Sequence, residues 1–258
     1  MKRKVPKEKE KTGIGGLDES LKGGIPKGNL VLVSGGAGTG KTTLCLQFLV
    51  EGANNQQKVL YISTEQKNEE IFRQAEPYLW KISDLEEKGL FKVMFIDILK
   101  DDNNLDRIRN ELETYKPGRV VLDSLSTFSE YTATNEYAKQ MLLKRGGVAQ
   151  RAIDQIIPEN ISEKVMTKRM LGSLINELKQ PGITALVTSE LPEKGDRLSS
   201  DGISEFLADG VILLYYWEIG EVEERALKIR KMRYTAHDGG AMLYKMGQNG
   251  IEIKKGEI

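Results

Sequence analysis

Gly35 to Thr42 read Gly-Gly-Ala-Gly-Thr-Gly-Lys-Thr, the pattern GxxxxGK[ST]. Glycines at this spacing let the backbone bend until its N–H groups converge on phosphate oxygens. The lysine then reaches the β- and γ-phosphates, and the next hydroxyl ligates Mg²⁺. Gly36, Ala37, Gly38, Thr39, Gly40, Lys41, Thr42 and Thr43 are therefore candidates to surround a nucleoside triphosphate, with Thr42 on the metal. A phosphate loop also needs a carboxylate for the Mg²⁺ shell. Asp123 closes the run Val120-Val-Leu-Asp123 and would stand at the carboxyl edge of a strand beside the loop. Hydrolysis further needs a group that orients and deprotonates water. Glu65 follows Leu60-Tyr-Ile-Ser-Thr64, where a carboxylate faces the γ-phosphate across the sheet edge. The same position suits a capping or surface glutamate ahead of a helix that begins near Asn68, and the spacing leaves both open.

These groups meet only if the chain alternates strands with helices. Asn29-Leu-Val-Leu-Val-Ser34 precedes the loop, and the helical run Thr42 to Val50 follows it. Lys58–Ser63, Phe91–Ile96, Arg119–Asp123, Ile183–Thr188 and Gly210–Tyr215 are short β-rich runs, with helical patterns at Leu105–Tyr115 and Thr167–Gln180 among the segments between them. Runs apolar on both faces and separated by helices predict an α/β fold, a mainly parallel central sheet flanked by helices. Arg225–Tyr234, Ala241–Met246 and Gly250–Ile253 read as strands joined at Asp238-Gly-Gly240 and Gln248-Asn-Gly250, a C-terminal antiparallel strand extension. Between Asp123 and Ile183 lie about sixty residues, more than one crossover helix needs. Helical pieces at Glu136–Arg145 and Val148–Ile157 are broken by Gly146-Gly147 and stopped by Pro158, which predicts a helical insert or lid at about 131–165. The organisation expected is a basic flexible tail over 1–11 and a single domain over 12–258.

A formal net charge of zero gives no push toward nucleic acid or membrane. The tail has six basic residues against Glu8 and Glu10, more simply a solvated terminus than a binding arm. Cys45 is the one cysteine, so no internal disulfide can form, and it reads as a small buried apolar residue. No run approaches the roughly 18 apolar residues of a membrane span and no apolar signal segment opens the chain, so a cytoplasmic protein is expected.

Further segments resemble a known family. Thr12-Gly-Ile-Gly-Gly-Leu-Asp-Glu-Ser-Leu-Lys-Gly-Gly-Ile-Pro-Lys-Gly28 is similar to the stretch ahead of the phosphate loop in RecA-superfamily ATPases, most of all in the KaiC-like branch. Tyr61-Ile-Ser-Thr-Glu65 resembles the strand with that family's catalytic glutamate, Leu122-Asp-Ser124 its Walker B, and Val187-Thr-Ser-Glu190 its sensor strand. Glu205–Leu214 and Lys231-Met-Arg-Tyr-Thr-Ala-His237 resemble the closing part of the domain. The resemblance implies a RecA-like P-loop NTPase that hydrolyses ATP with Mg²⁺ and assembles as a ring homo-oligomer, commonly a hexamer. ATP would lie between subunits, with Lys41, Thr42 and Asp123 in cis and Glu65 as base. Lys231, Arg233 and His237 match residues that reach the neighbour's nucleotide, and Met232, Thr235 and Gln248 match lesser contacts there. Cations supplied across an interface make hydrolysis depend on assembly. Without the family, Lys231 and Arg233 are an ordinary solvated strand face and His237 is a turn residue.

Three departures stand out. Gln66 replaces a second glutamate, this chain has one ATPase domain where KaiC has two, and the insert has no counterpart, which makes it the candidate surface for a protein partner. The function expected is a slow ATPase acting as a regulatory or signalling module. The alternatives are a DNA-binding recombinase paralogue and an autokinase. Over 190–206, Lys194 and Arg197 face Glu190, Glu193, Asp196, Asp201 and Glu205, a balance that repels phosphates and disfavours nucleic acid. Glu205 and Phe206 occupy the positions of the family's phosphoacceptors and carry no hydroxyl.

Overall fold

The computed structural model describes residues 7–98, 100, 103–134, 159–191, 197–219 and 222–254. The central strand β3 (Leu30–Gly35) is buried along its whole length. Its neighbours are β7 (Thr184–Glu190) on one side and β8 (Gly210–Ile219) on the other, both parallel to it. Outward from β7 run β6 (Arg119–Asp123), β4 (Val59–Ser63) and β5 (Phe91–Phe95), again parallel. Beyond β8, the strands β9 (Val222–Met232), β10 (Ala241–Gly247) and β11 (Gly250–Ile253) are antiparallel. The nine-stranded order is β11-β10-β9-β8-β3-β7-β6-β4-β5.

Strand alternation builds two cores from one sheet. Val31, Val33, Tyr61, Val121, Leu186 and Ile212 point to the face covered by α2 (Lys41–Asn54), with α1 (Gly15–Ser20), α3 (Asn68–Ala75) and α4 (Ile82–Glu87) around it. Leu30, Leu32, Leu60, Ile62, Leu122 and Val187 point to the other face. That face is covered by α5 (Asn104–Tyr115), α6 (Leu125–Thr134) and α7 (Glu159–Leu178). Each such aliphatic side chain contributes about 1.5–3 kcal/mol on burial, which is why the central strands carry so few polar residues.

Pairing in register aligns the carboxyl ends of the strands. Gly35 stands beside Glu190, and Ser63 beside Asp123. The ends of β3, β7, β6 and β4 thus meet along one edge, where open α/β sheets bind ligands. Sequence and structure agree on the α/β architecture and the antiparallel extension. The helix expected at Thr167–Gln180 begins at Glu159, and α6 extends to Thr134. The outer parts of the expected insert are therefore the ends of two helices, while its pieces at 136–145 and 148–157 lie outside the described residues. The tail expected over 1–11 is shorter at its inner end. Lys9–Glu10 forms β1, paired antiparallel with β2 (Ile25–Pro26), because buried Arg119 holds Glu10 at 3.7 Å and donates to the Lys11 carbonyl at 2.8 Å.

Candidate functional site

The phosphate loop lies between β3 and α2. Gly38 and Gly40 have φ of +72° and +92°, which L side chains rarely adopt. Several carbonyls of the loop are tied by side-chain donors. Thr39 Oγ1 donates to the Gly36 carbonyl at 2.8 Å, and the Tyr216 hydroxyl donates to that of Gly38 at 3.0 Å. Arg225 Nε also reaches the Gly38 carbonyl at 3.4 Å, and the Tyr244 hydroxyl donates to that of Thr39. Burial raises the Tyr244 phenol well above its usual range, so it stays a donor. No side chain caps the first turn of α2, which leaves its N–H groups for an anion. Three strands of the C-terminal half, β8, β9 and β10, thereby set the shape of a loop that lies far earlier in the sequence.

Lys41 Nζ donates to the carbonyls of Gly35 and Gly36 at 2.9 and 3.0 Å and stands 3.6 Å from Glu190 Oε1. Thr42 Oγ1 donates to Asp123 Oδ2 at 2.8 Å. Two adjacent ligands of octahedral Mg²⁺ stand about 2.9 Å apart, so this hydroxyl–carboxylate pair fits the ion. Asp123 is positioned by two more hydroxyls. Tyr61 donates to Oδ2 at 2.5 Å, and Thr188 donates to Oδ1. Burial, then the Asp123 charge, pushes the Tyr61 phenol up, so it too remains a donor. Burial likewise raises the Cys45 thiol beneath the site, which suits the inert packing residue expected there.

Glu65 lies on the bend after β4, exposed. The capping alternative has a different owner: Glu70 accepts the Lys67 N–H at 2.8 Å at the start of α3. Glu65 Oε1 instead accepts from Ser124 Oγ at 2.5 Å and Thr127 Oγ1 at 2.8 Å. Thr64 ties the two strand ends together, its N–H donating to the Asp123 carbonyl at 2.9 Å. A cleft of about 480 Å³ collects Ala37, Gly38, Gly40 to Thr43, Glu65, Asp123, Ser124 and Glu190 with Gln74, Tyr78, Arg225 and Met246. Tyr78 stacks on Trp80 and its hydroxyl lies 3.3 Å from Thr43 Oγ1.

The other candidates do not line this cleft. Lys231 Nζ donates to the carbonyls of Glu205 and Ala208 at 3.0 and 2.7 Å, at the short helix α8 (Ser204–Leu207). Burial, then Arg233, lowers the Lys231 ammonium. Arg233 pairs with Asp209 at 3.2 Å. Thr235 accepts from Lys9 Nζ at 2.7 Å, and His237 is half-buried on the following loop. Beside them Phe206 and Tyr234 are 72% and 66% exposed. Met232 departs from the expected role of a surface contact. A bulge between the Val211 and Ile212 pairings leaves Arg230 unmatched, which reverses the alternation and turns Met232 into the core while Lys231 reaches α8. Gln248 also stands apart from this group. It lies on the β10–β11 turn, where its carbonyl accepts the Leu79 N–H at 3.0 Å, two residues from Met246 of the cleft.

Tyr61, Ser124, Thr127, Thr188, Arg225 and Tyr244 were not singled out by the sequence as positioning groups. Their signal is tertiary, since each acts on a residue from another strand or helix. Among the described residues no helix is long and apolar enough to cross a membrane.

A family model described as "ATPase: KaiC" matches residues 10–146 and 141–258. The circadian clock oscillator protein KaiC of Parasynechococcus marenigrum (strain WH8102) is 28% identical over 260 residues, covering 95% of this chain and 44% of its own length. The same protein from Synechococcus elongatus (strain ATCC 33912 / PCC 7942 / FACHB-805) is 28% identical over 259 residues, with 95% and 44% covered. The chain thus spans less than half the length of these relatives. The crystal structure of a KaiC-like protein from the hyperthermophilic archaeon Pyrococcus horikoshii OT3 superposes with a TM-score of 0.75 at 29% identity, over 96% of this chain and 100% of that one.

Proposed function

Because this chain belongs to the KaiC family of ATPases, we propose that it binds Mg²⁺-ATP and hydrolyses it slowly at interfaces between copies of itself. The observation that supports this reading best is a division. One edge of the sheet gathers the phosphate loop, the Thr42–Asp123 pair and Glu65. The family-matched cations Lys231 and Arg233 stand with α8 and Asp209, outside that cleft. A second copy can bring the second group to the first in a head-to-tail ring, for which six copies is the size we favour.

In this reading the loop N–H groups and Lys41 hold the β- and γ-phosphates. Thr42 and Asp123 would hold Mg²⁺, which when bound neutralises charge developing on the phosphoryl oxygens. Glu65 accepts a proton from water aligned with the γ-phosphate. The neighbour's Arg233 adds positive charge where it develops in the transition state. Water is the acceptor, since Glu205 has no hydroxyl and accepts a hydrogen bond from Ser199, while Phe206 has none either. The biological role is a regulatory or signalling module in the cytoplasm, with the 131–165 region offered to a protein partner.

Light scattering after size exclusion, with and without Mg²⁺-ATP, alongside a phosphate-release assay, tests this directly. Multimers that form or tighten with nucleotide, and release phosphate, are expected. A monomer that hydrolyses ATP normally contradicts the shared site, and absence of phosphate release contradicts the enzyme.

A further inference from the structure

A glutamate on an exposed bend has several rotamers open to it, and a base in that position works only when one of them is held. Glu65 is such a residue, and both donors that hold it converge on a single oxygen. Ser124 Oγ and Thr127 Oγ1 donate to Oε1 at 2.5 and 2.8 Å and stand 3.1 Å from each other. A hydroxyl has one proton to give, so each of these is committed to Glu65. The other oxygen, Oε2, has no donor among the described residues. Ser124 directly follows the Asp123 that pairs with Thr42, and Thr127 is in the first turn of α6.

We propose that Thr127, seconded by Ser124, is the positioning residue of the base: it pins Oε1 of Glu65 so that Oε2 is the oxygen presented to the attacking water. The inference rests on Glu65 being the base of ATP hydrolysis. The turn that fixes the metal-facing carboxylate then also fixes the base, so the distance between them is set by consecutive residues of one chain segment. The competing explanation is structural. A carboxylate near the start of a helix stabilises that helix, and the two hydroxyls would serve only to keep it there. The two explanations differ in what Thr127 changes: turnover in the first, stability in the second.

The test uses the full chain with Mg²⁺-ATP and the variants Thr127→Val, which keeps the shape and deletes the donor, and Thr127→Ser, which keeps the donor. Thr127→Ala is a second deletion in case valine perturbs α6. kcat and KM are measured for phosphate release, together with the Kd of the slowly hydrolysed analogue ATPγS. Thr127→Val should lower kcat about tenfold while KM and the ATPγS Kd change less than about twofold, and Thr127→Ser should stay within about twofold of the parent. In a Glu65→Gln background, Thr127→Val should lower the residual rate no further, because both changes act through one group. Unchanged kcat in both Thr127→Val and Thr127→Ala, failure of serine to restore the rate, or a loss that adds fully to that of Glu65→Gln overturns the proposal. If the parent chain releases no phosphate, or Glu65→Gln turns over at the parental rate, the reading of Glu65 as base falls and the proposal with it. A dead Glu65→Gln beside a normal Thr127→Val overturns the positioning role alone.

Discussion

The loop edge of the sheet and the end of β9 hold the same kinds of residue in opposite ways. At the loop edge, Asp123 accepts from Thr42, Tyr61 and Thr188, and Lys41 is almost covered. At the end of β9, Arg233 is half exposed, and two large aromatics, Phe206 and Tyr234, stand in solvent. The first region is braced by its own chain and has the form of a site that already has its shape. The second keeps its charges on partners of its own chain and exposes apolar area that a neighbouring copy would cover. Under the proposed function, a preorganised catalytic half and an activating half supplied by a neighbouring copy would make activity a report on assembly.

Breaking the braced region should have the largest effect. Glu65→Gln should cut phosphate release by about 10³-fold with nucleotide affinity retained, because the amide still hydrogen-bonds but accepts no proton. Single-turnover kinetics check this, and a parental rate would remove Glu65 as the base. Arg233→Ala should follow, lowering hydrolysis by about 10²-fold while ATPγS binding and the Mg²⁺ requirement stay near parental values. A loss seen only as weaker binding would place Arg233 in uniform substrate binding instead. Smaller again is Tyr61→Phe. Deleting one of three donors to Asp123 should weaken Mg²⁺ dependence of turnover by about tenfold and leave folding intact, read as the Mg²⁺ concentration for half-maximal rate.

The smallest expected effect separates the two regions by pH. Burial pulls the Asp209 carboxyl up, but Lys179, the Leu30 N–H and Arg233 outweigh it and hold the group below the usual carboxylate range. A depressed folded-state value means that the stability Asp209 adds is present at neutral pH and is lost as pH falls through that value. Asp209→Asn should therefore cost about 1–2 kcal/mol in urea unfolding at pH 7, with the gap to the parent closing in acid. An equal gap at both pH values would show that the side chain acts by shape rather than by charge.

Much of the braced region is legible in the chain because its determinants are local. The glycines of the loop, the apolar run of β3 and the strand-ending Asp123 each carry their meaning within a few residues. What braces them is not local. Tyr61 reads as one more apolar position of β4, and only the β7-β6-β4 order places its hydroxyl on Asp123. Tyr216, Arg225 and Tyr244 read as parts of a terminal β extension, and only pairing of β8 beside β3 brings them to the loop. Met232 is singled out only by the family match, and its burial follows from the unmatched Arg230, which shows only in the pairing of β8 with β9. For Glu65 the sequence leaves both readings open, because neither Glu70 at the α3 cap nor the Ser124 and Thr127 hydroxyls on the Glu65 carboxylate can be read from its neighbours in the chain.

Complementation between two inactive proteins tests the division of labour most directly. Lys41→Ala removes the loop's charge and leaves the β9 end intact, whereas Arg233→Ala does the reverse. Each alone should release little phosphate. In a randomly mixed head-to-tail ring, about one interface in four joins an intact loop to an intact Arg233. The mixture should therefore recover roughly a quarter of the parental rate, in proportion to the fraction assembled. A mixture that stays at the sum of its two inactive components, under conditions where light scattering shows mixed multimers, would contradict a site shared between copies.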